Sequence, residues 1–323
     1  MRDGCWPTAR RPRSSTGPRC RRARASPPSP GSRPWWARGR LCRSPSSPRW
    51  RRCVAEIVLR SVCFDYSSAV PVFREPGITL ALPQAAIALI GENGAGKTTL
   101  TKLLNGLLRP RTGSVVVAGT PVAERSVAQM APVIGYAFQN PDDQLFERTV
   151  RDEVAFGPRV MGRPRETVQA AVDRALDLCG LAGQASTHPH DLVLAERKWV
   201  TIASALAADP PVVVLDEPTL GQDWAGRERL RALVRALGGQ GRLVLVVTHD
   251  IDFVAQACDW TVVLTRGLVR YSGRTALAFA DEGRMEEAGL ELPAGTRLAR
   301  ALGADPAPVG DEAFAAWYRV RPA

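Results

Sequence analysis

The apolar residues of this chain fall into two kinds of pattern. In one they crowd into short continuous runs, at 85–90, 212–215 and 243–247, each followed by glycine or polar residues. Runs of this length predict strands buried on both faces, as in a parallel sheet covered by helices. In the other they recur every three or four positions, over 98–108, 166–179 and 194–208, which predicts amphipathic helices. Residues 54–64 and 113–118 add strand patterns around the first run. From about 141 to 208 the strand signal lapses and helices are expected, with further helical pieces over 297–302 and 312–318. Strands alternating with helices predict an α/β domain with a mainly parallel sheet. No internal repeat is visible.

Length and apolar content suffice for such a domain, since 323 residues with 45% apolar side chains build a substantial core. Charge is less evenly spread. The chain carries +11 overall, yet residues 1–53 hold 15 Arg, 9 Pro and a single acid, Asp3, for +14, which leaves −3 from Val54 onward. The pI of about 10.0 therefore belongs to a Pro-rich arm and not to a basic binding face, and no nucleic-acid partner is expected. The arm lacks the apolar periodicity that would offset the entropy of ordering. It is expected to be disordered, touching anionic lipid or RNA, or else to precede a true start of translation near Val54. It shows no apolar segment of secretory type.

Cys5, Cys20, Cys42, Cys53, Cys63, Cys179 and Cys258 include no CxxC pair, so neither a disulfide framework nor a zinc site is expected. The longest apolar-leaning run, 78–90, is broken by Pro83 and falls short of the roughly 20 residues that span a bilayer.

Gly91-Glu92-Asn93-Gly94-Ala95-Gly96-Lys97-Thr98 fits the pattern GxxxxGK[ST] and sits between a predicted strand and a predicted helix. Glycines let main-chain N–H groups curl around phosphate, and the helix N-terminus adds the positive end of its dipole. The expected ligand is ATP with Mg2+. Gly91, Asn93, Gly94, Ala95, Gly96 and Thr99 would form the cradle, Lys97 would reach the β- and γ-phosphates, and Thr98 would give its hydroxyl to the metal.

The run 212–215 ends in Asp216-Glu217, at the sheet edge where open α/β folds bind ligands. Asp216 would hold Mg2+ through water, and Glu217 would polarise the attacking water, since phosphoryl transfer needs an oriented nucleophile. The plainer alternative is a solvated pair of strand-end acids. His249 follows the run 243–247 on the same predicted edge and would contact the γ-phosphate. His188 and His190 flank Pro189; two ligands without a third make a turn the better reading than a metal site.

In order, Gly91 to Thr99, Gln139, Asp216-Glu217-Pro218-Thr219, Gly221-Gln222-Asp223 and His249 resemble the ATPase subunits of ABC transporters over about residues 54–275. The resemblance implies a P-loop NTPase of ABC type. Its RecA-like core would have a mainly parallel sheet, with antiparallel β elements, a helical signature subdomain at about 141–208 and a helical extension over 276–323. Phe138-Gln139-Asn140-Pro141-Asp142-Asp143-Gln144-Leu145-Phe146, with Thr149-Val150 and residues 154–158, is similar to the energy-coupling factor branch, which imports vitamins and transition-metal ions. That branch implies that Gln139 senses Mg2+ and the γ-phosphate, that the segment after it meets a coupling helix, and that Tyr66 stacks on adenine. Tyr66 as plain core is the alternative, and Phe64, on the same face of an alternating strand, is the rival ring.

The implied partners are a second ABC ATPase, a polytopic membrane coupling subunit and a substrate-binding membrane subunit. The chain would then lie peripherally on the cytoplasmic face of the membrane. One departure stands out. Where the family's LSGGQ signature would complete the partner's nucleotide site, this chain reads Leu192-Val193-Leu194-Ala195-Glu196. Val193 has no hydroxyl to donate, and Ala195 adds a Cβ where close approach calls for glycine. The expectation is a heterodimer with one competent and one degenerate site. A soluble ABC ATPase outside transport and a regulatory subunit with little hydrolysis are the alternatives. Residues 290–293 loosely resemble the segment that holds related ATPases together, with a solvated tail as the rival reading.

Overall fold

The computed structural model describes residues 41–43, 50–52, 56–67 and 70–320. It comprises two units, Met1–Cys53 and Val54–Ala323. In the first, β1 (Leu41–Arg43) pairs antiparallel with β2 (Trp50–Arg52). The rest of the Arg/Pro-rich arm, and with it most of the expectation of disorder, lies outside the described residues.

The second unit holds two sheets. Strands β3 (Ile57–Ser67), β4 (Val70–Leu82), β6 (Thr112–Val117) and β7 (Thr120–Pro121) form an antiparallel sheet in the order β4-β3-β6-β7. The larger sheet takes β5 (Ala86–Ile90), β8 (Ile134–Ala137), β9 (Val212–Asp216), β10 (Leu243–Val247), β11 (Trp260–Thr265) and β12 (Leu268–Arg274). Its order is β12-β11-β5-β10-β9-β8, parallel throughout except for the β11–β12 pair at one edge.

The central strands show why their sequences are apolar without interruption. Successive side chains point to opposite faces. On β5, Ile87 and Leu89 enter the core between the two sheets, while Ala86, Ala88 and Ile90 enter the core under the helices. Strands β9 and β10 divide in the same way, with Val212, Val214, Leu243 and Leu245 on one side and Val213, Leu215, Val244 and Val246 on the other. Each large side chain so buried contributes about 1.5–3 kcal/mol, so neither face tolerates a polar position.

Helix α1 (Lys97–Asn105) lies in the core between the sheets through Leu100, Leu103 and Leu104. The predicted helix over 98–108 ends at Asn105 because Gly106, at φ 81°, takes the left-handed turn that closes it. After α2 (Val127–Met130), the expected helical stretch supplies α3 (Val150–Val160), α4 (Arg165–Leu178) and α5 (Leu194–Ala207). Val154, Val172, Leu176, Trp199 and Val200 from these helices share one core with the sheet. Helices α6 (Trp224–Gly239) and α7 (Ile251–Ala257) follow β9 and β10. The C-terminal α8 (Thr275–Ala280), α9 (Glu282–Glu287), α10 (Ala294–Ala301) and α11 (Asp311–Val320) complete the chain, with Phe279 and Met285 in that same core. The helical pieces expected over 297–302 and 312–318 fall on α10 and α11.

Strand β4 escaped the sequence reading because Pro71, Pro76 and Gly77 interrupt its pattern. It tolerates them as the edge strand of its sheet, where a missing N–H costs no ladder bond on the open side. No helix among the described residues is long and apolar enough to cross a membrane.

Candidate functional site

The parallel sheet sets four chemistry-bearing segments on one edge. Val247 at the end of β10 pairs with Leu89 of β5 on one side and Asp216 of β9 on the other. Ala137 of β8 pairs with Leu215. The loops leaving these strands begin at Gly91, Glu217, Thr248 and Phe138, and so open side by side.

Between β5 and α1 the loop needs its glycines for room as well as dihedral freedom. Gly91 sits at φ 152°, and a Cβ there would lie 2.0 Å from the carbonyl oxygen of Leu264 at the end of β11. Gly96 is the N-cap of α1 at φ 103°, and no side chain caps the helix. Its first N–H groups are therefore left for an external acceptor. The Lys97 ammonium donates to the carbonyls of Gly91 (2.7 Å) and Glu92 (2.9 Å). Burial holds its pKa below the ordinary lysine value, with Glu217 and Asp216 pulling the other way.

Asp216 is 5% exposed. Tyr136 donates to its Oδ2 at 2.8 Å, and the same hydroxyl stands 2.8 Å from Thr101 Oγ1 on α1. A chain of hydroxyls thus runs from the end of β9 to the phosphate-loop helix. Burial pushes the Asp216 carboxyl above its ordinary range, opposed by the Tyr136 bond, raised further by Glu217 and lowered by Lys198 and Lys97.

Glu217 adopts φ 45°, a left-handed backbone that costs a non-glycine residue about 1–3 kcal/mol. Its N–H donates to Val247 O at 2.8 Å. Its Oε2 is buried without a hydrogen-bond partner and lies 3.0 Å from His249 Nδ1, in ion-pair range once the imidazole is charged. A buried carboxylate oxygen left unsatisfied beside a cavity is the usual mark of a group waiting for a ligand or water.

These residues close around a cavity of about 310 Å³ lined by Tyr66, Val72, Asn93, Gly94, Gly96, Lys97, Thr98, Thr99, Gln139, Asp216, Glu217 and Val247. Gly91 and Ala95 are set back from it: Gly91 is buried and Ala95 packs into the core between the sheets. His249 reaches the site through its contact with Glu217. Tyr66 is 56% exposed and its hydroxyl lies 3.2 Å from Thr99 Oγ1, whereas Phe64 is 7% exposed and packs edge-on against the Tyr66 ring in the core. The free amides, the lysine and the flanking ring fit a nucleoside triphosphate, and the oxygens of Thr98, Asp216 and Gln139 are the hard donors that suit Mg2+. His188 and His190 are elsewhere, on a turn where His188 Nδ1 accepts from the His190 N–H at 3.2 Å.

The ABC transporter family matches residues 78–220. A protein of Pyrococcus furiosus named as an ABC transporter ATP-binding protein is 39% identical over 250 residues, covering 77% of this chain and 95% of its own. The chain belongs to the ABC transporter ATP-binding proteins. The energy-coupling factor transporter ATP-binding protein EcfA of Methanocaldococcus jannaschii is 38% identical over 237 residues, 72% of this chain and 84% of that one. Among solved structures, CbiO1 of Clostridium perfringens, part of the ABC transporter complex CbiONQ, superposes with a TM-score of 0.65 at 29% identity, covering 78% of this chain and all of that one. This ABC protein is accordingly an ATPase, and ATP is its nucleotide.

The altered signature stands at the start of α5. Val193 is the N-cap, without a side chain to accept from the helix, and is 65% exposed; Leu194 beside it is 41% exposed. Glu196 compensates in part by accepting from the Val193 N–H at 3.3 Å. Gln222 donates to the Ala195 carbonyl at 3.0 Å and accepts from the Trp199 indole at 3.1 Å, which joins the loop after β9 to this helix.

Besides the cavity-lining Val72, two polar residues that support the site are absent from the expectations drawn from sequence. Tyr136 lies in a strand too short to register as a pattern. Lys198 is 2% exposed and donates to the carbonyls of Glu217 (2.6 Å) and Gln139 (3.1 Å). A lysine on the apolar stripe of α5, four residues from both Leu194 and Ile202, was its available signal.

Proposed function

We propose that this ATPase is the motor subunit of an energy-coupling-factor-type importer for a vitamin or a transition-metal ion, working in a heterodimer on the cytoplasmic face of the membrane. Its partners are a second ABC ATPase, a polytopic coupling subunit and a substrate-binding membrane subunit. The observation that carries the reading is the contrast within the chain: Lys97, Thr98, Asp216, Glu217 and His249 meet around one cavity or its rim, while Val193 and Ala195 replace the signature that would serve the partner's nucleotide. Resemblance to EcfA and CbiO1 supports the branch. The arm 1–53, the nucleotide domain 54–275 and the extension 276–323 are kept as functional divisions of the chain.

In this reading the α1 amides and Lys97 neutralise phosphate charge, Tyr66 packs on the adenine, and Thr98, Asp216 and Gln139 hold Mg2+, which supplies Lewis-acid stabilisation of that charge. Glu217 aims the attacking water, with His249 at its side. Segment 139–146 carries the motion to the membrane subunits. Buried Glu153 anchors that segment, its Oε2 accepting from the N–H groups of Phe146 (2.9 Å) and Glu147 (2.8 Å) and leaving the Phe146 ring 61% exposed. A regulatory subunit with little hydrolysis is the second reading, favoured by the Val193 and Ala195 replacements.

The test is capture of the chain from detergent-solubilised native membranes, with partners identified by mass spectrometry and turnover measured for chain and complex. A second ATPase with an intact signature, a polytopic protein and turnover confined to the complex are expected. Strong cooperative hydrolysis by the chain alone overturns the heterodimer, and a wholly soluble set of partners overturns the transporter.

A further inference from the structure

The two carbonyls that Lys198 holds belong to Glu217 and Gln139, whose side chains both line the cavity. Both main-chain segments lie just past the ends of their strands, where regular ladder pairing stops, although the Glu217 N–H still donates to Val247 O at 2.8 Å. Glu217 leaves β9 in the left-handed conformation at φ 45°, and Gln139 lies exposed between β8 and a short turn at Pro141–Asp143. A second tie joins the same loop to α5, since Gln144 Oε1 accepts from the Phe138 N–H at 2.9 Å and its amide lies 3.5 Å from the Thr201 carbonyl. An ammonium presents three donors at one point, so a single side chain reaches both carbonyls; an apolar replacement removes that donor from both and leaves the buried Glu217 carbonyl with the Leu220 N–H at 3.3 Å alone. Burying a lysine is otherwise costly, and a position on an apolar stripe would pack better with leucine or methionine if packing were its whole role.

We propose that Lys198 is a positioning residue for hydrolysis: its grip on the Glu217 and Gln139 carbonyls holds those two side chains in one geometry at the cavity. It also joins that geometry to α5, the helix that begins at the altered signature. The proposal rests on the reading of Glu217 and Gln139 given above.

The test compares the full-length chain with its Lys198→Met variant by hydrogen–deuterium exchange without nucleotide, and by turnover in the complex with its native partners. Exchange over 138–140 and 217–220 is expected to rise roughly tenfold while α5 stays protected, because the loss of one shared donor opens local structure alone. Turnover should fall at least about tenfold with KM for ATP within about twofold, the split expected when geometry is lost and binding kept. Unchanged exchange in the two segments overturns the proposal. So does exchange that rises along all of α5 together with weaker ATP binding, which would make Lys198 a general support. Should the methionine variant fail to fold, Lys198→Gln, which keeps a donor group, is read by the same criteria. Glu217→Gln is measured alongside: its retaining turnover would sink the reading of Glu217, whereas its loss beside an unaffected Lys198→Met would sink this proposal alone.

Discussion

His249 Nδ1 and Glu217 Oε2 stand 3.0 Å apart across the gap between the loops that leave β10 and β9. The histidine side chain is 67% exposed and the glutamate side chain 11%, so the pair joins a solvent-facing ring to a covered carboxylate. The histidine restricts where the carboxylate points, at a buried Glu217 oxygen that takes no hydrogen bond from another protein group.

Glu217→Gln keeps the shape and removes the charge. ATP affinity is expected to stay within about threefold, while turnover falls by about 10² or more, the range lost with a group that handles the nucleophile's proton. His249→Ala loosens the aim without removing the carboxylate and should cost about tenfold. Single-turnover hydrolysis with labelled ATP in the complex reads both.

Val193→Ser restores a hydroxyl at an N-cap that has none. Because Val193 is 65% exposed, little burial is lost, and a serine cap should raise stability by about 0.5–1 kcal/mol in urea unfolding. Combined with Leu194→Gly, Ala195→Gly and Glu196→Gln it rebuilds the signature. Hydrolysis by the chain alone is then expected to rise at least severalfold, and no rise would place the block outside the signature.

Asp216→Asn trades function for stability. Burial has raised the Asp216 pKa, so the folded state holds this proton more tightly than the unfolded chain, and ionising it near neutral pH is a cost. The contribution of this group is full below the ordinary carboxylate value and is lost as pH rises through the raised one. Asparagine avoids the cost and still accepts from Tyr136. The nucleotide-free variant should melt a few degrees higher at pH 7.5, with the gain shrinking as pH falls through the carboxylate range, and Mg2+ should no longer tighten ATP binding.

Tyr136→Phe cuts the hydroxyl chain between Asp216 and Thr101. A buried hydrogen bond to a charged acceptor is lost, at about 1–3 kcal/mol. Urea unfolding measures that loss. A weaker Mg2+ dependence of ATP binding is expected with it, because the carboxylate is no longer tied to the helix that carries Thr98.

Much of this protein was written locally. An unbroken apolar run ending in Gly91 and followed by Gly96-Lys97-Thr98 dictates strand, loop and helix within about 20 residues, because burial on both faces and the need for free N–H groups are properties of the segment itself. The same holds for the run that ends in Asp216-Glu217. Other features depended on which segments meet. Tyr66 and Phe64 share a strand and a sequence period, yet irregular pairing of β3 with β4 sends one ring to the cavity rim and the other into the core. Tyr136 reaches Asp216 across 80 positions, and Lys198 reaches Gln139 across 59. Such contacts have no local period to betray them. What the sequence decided by itself was the run of elements and the phosphate loop; what the tertiary structure decided was which distant donors those loops find, since a buried polar atom must take its partner from whatever chain folds beside it.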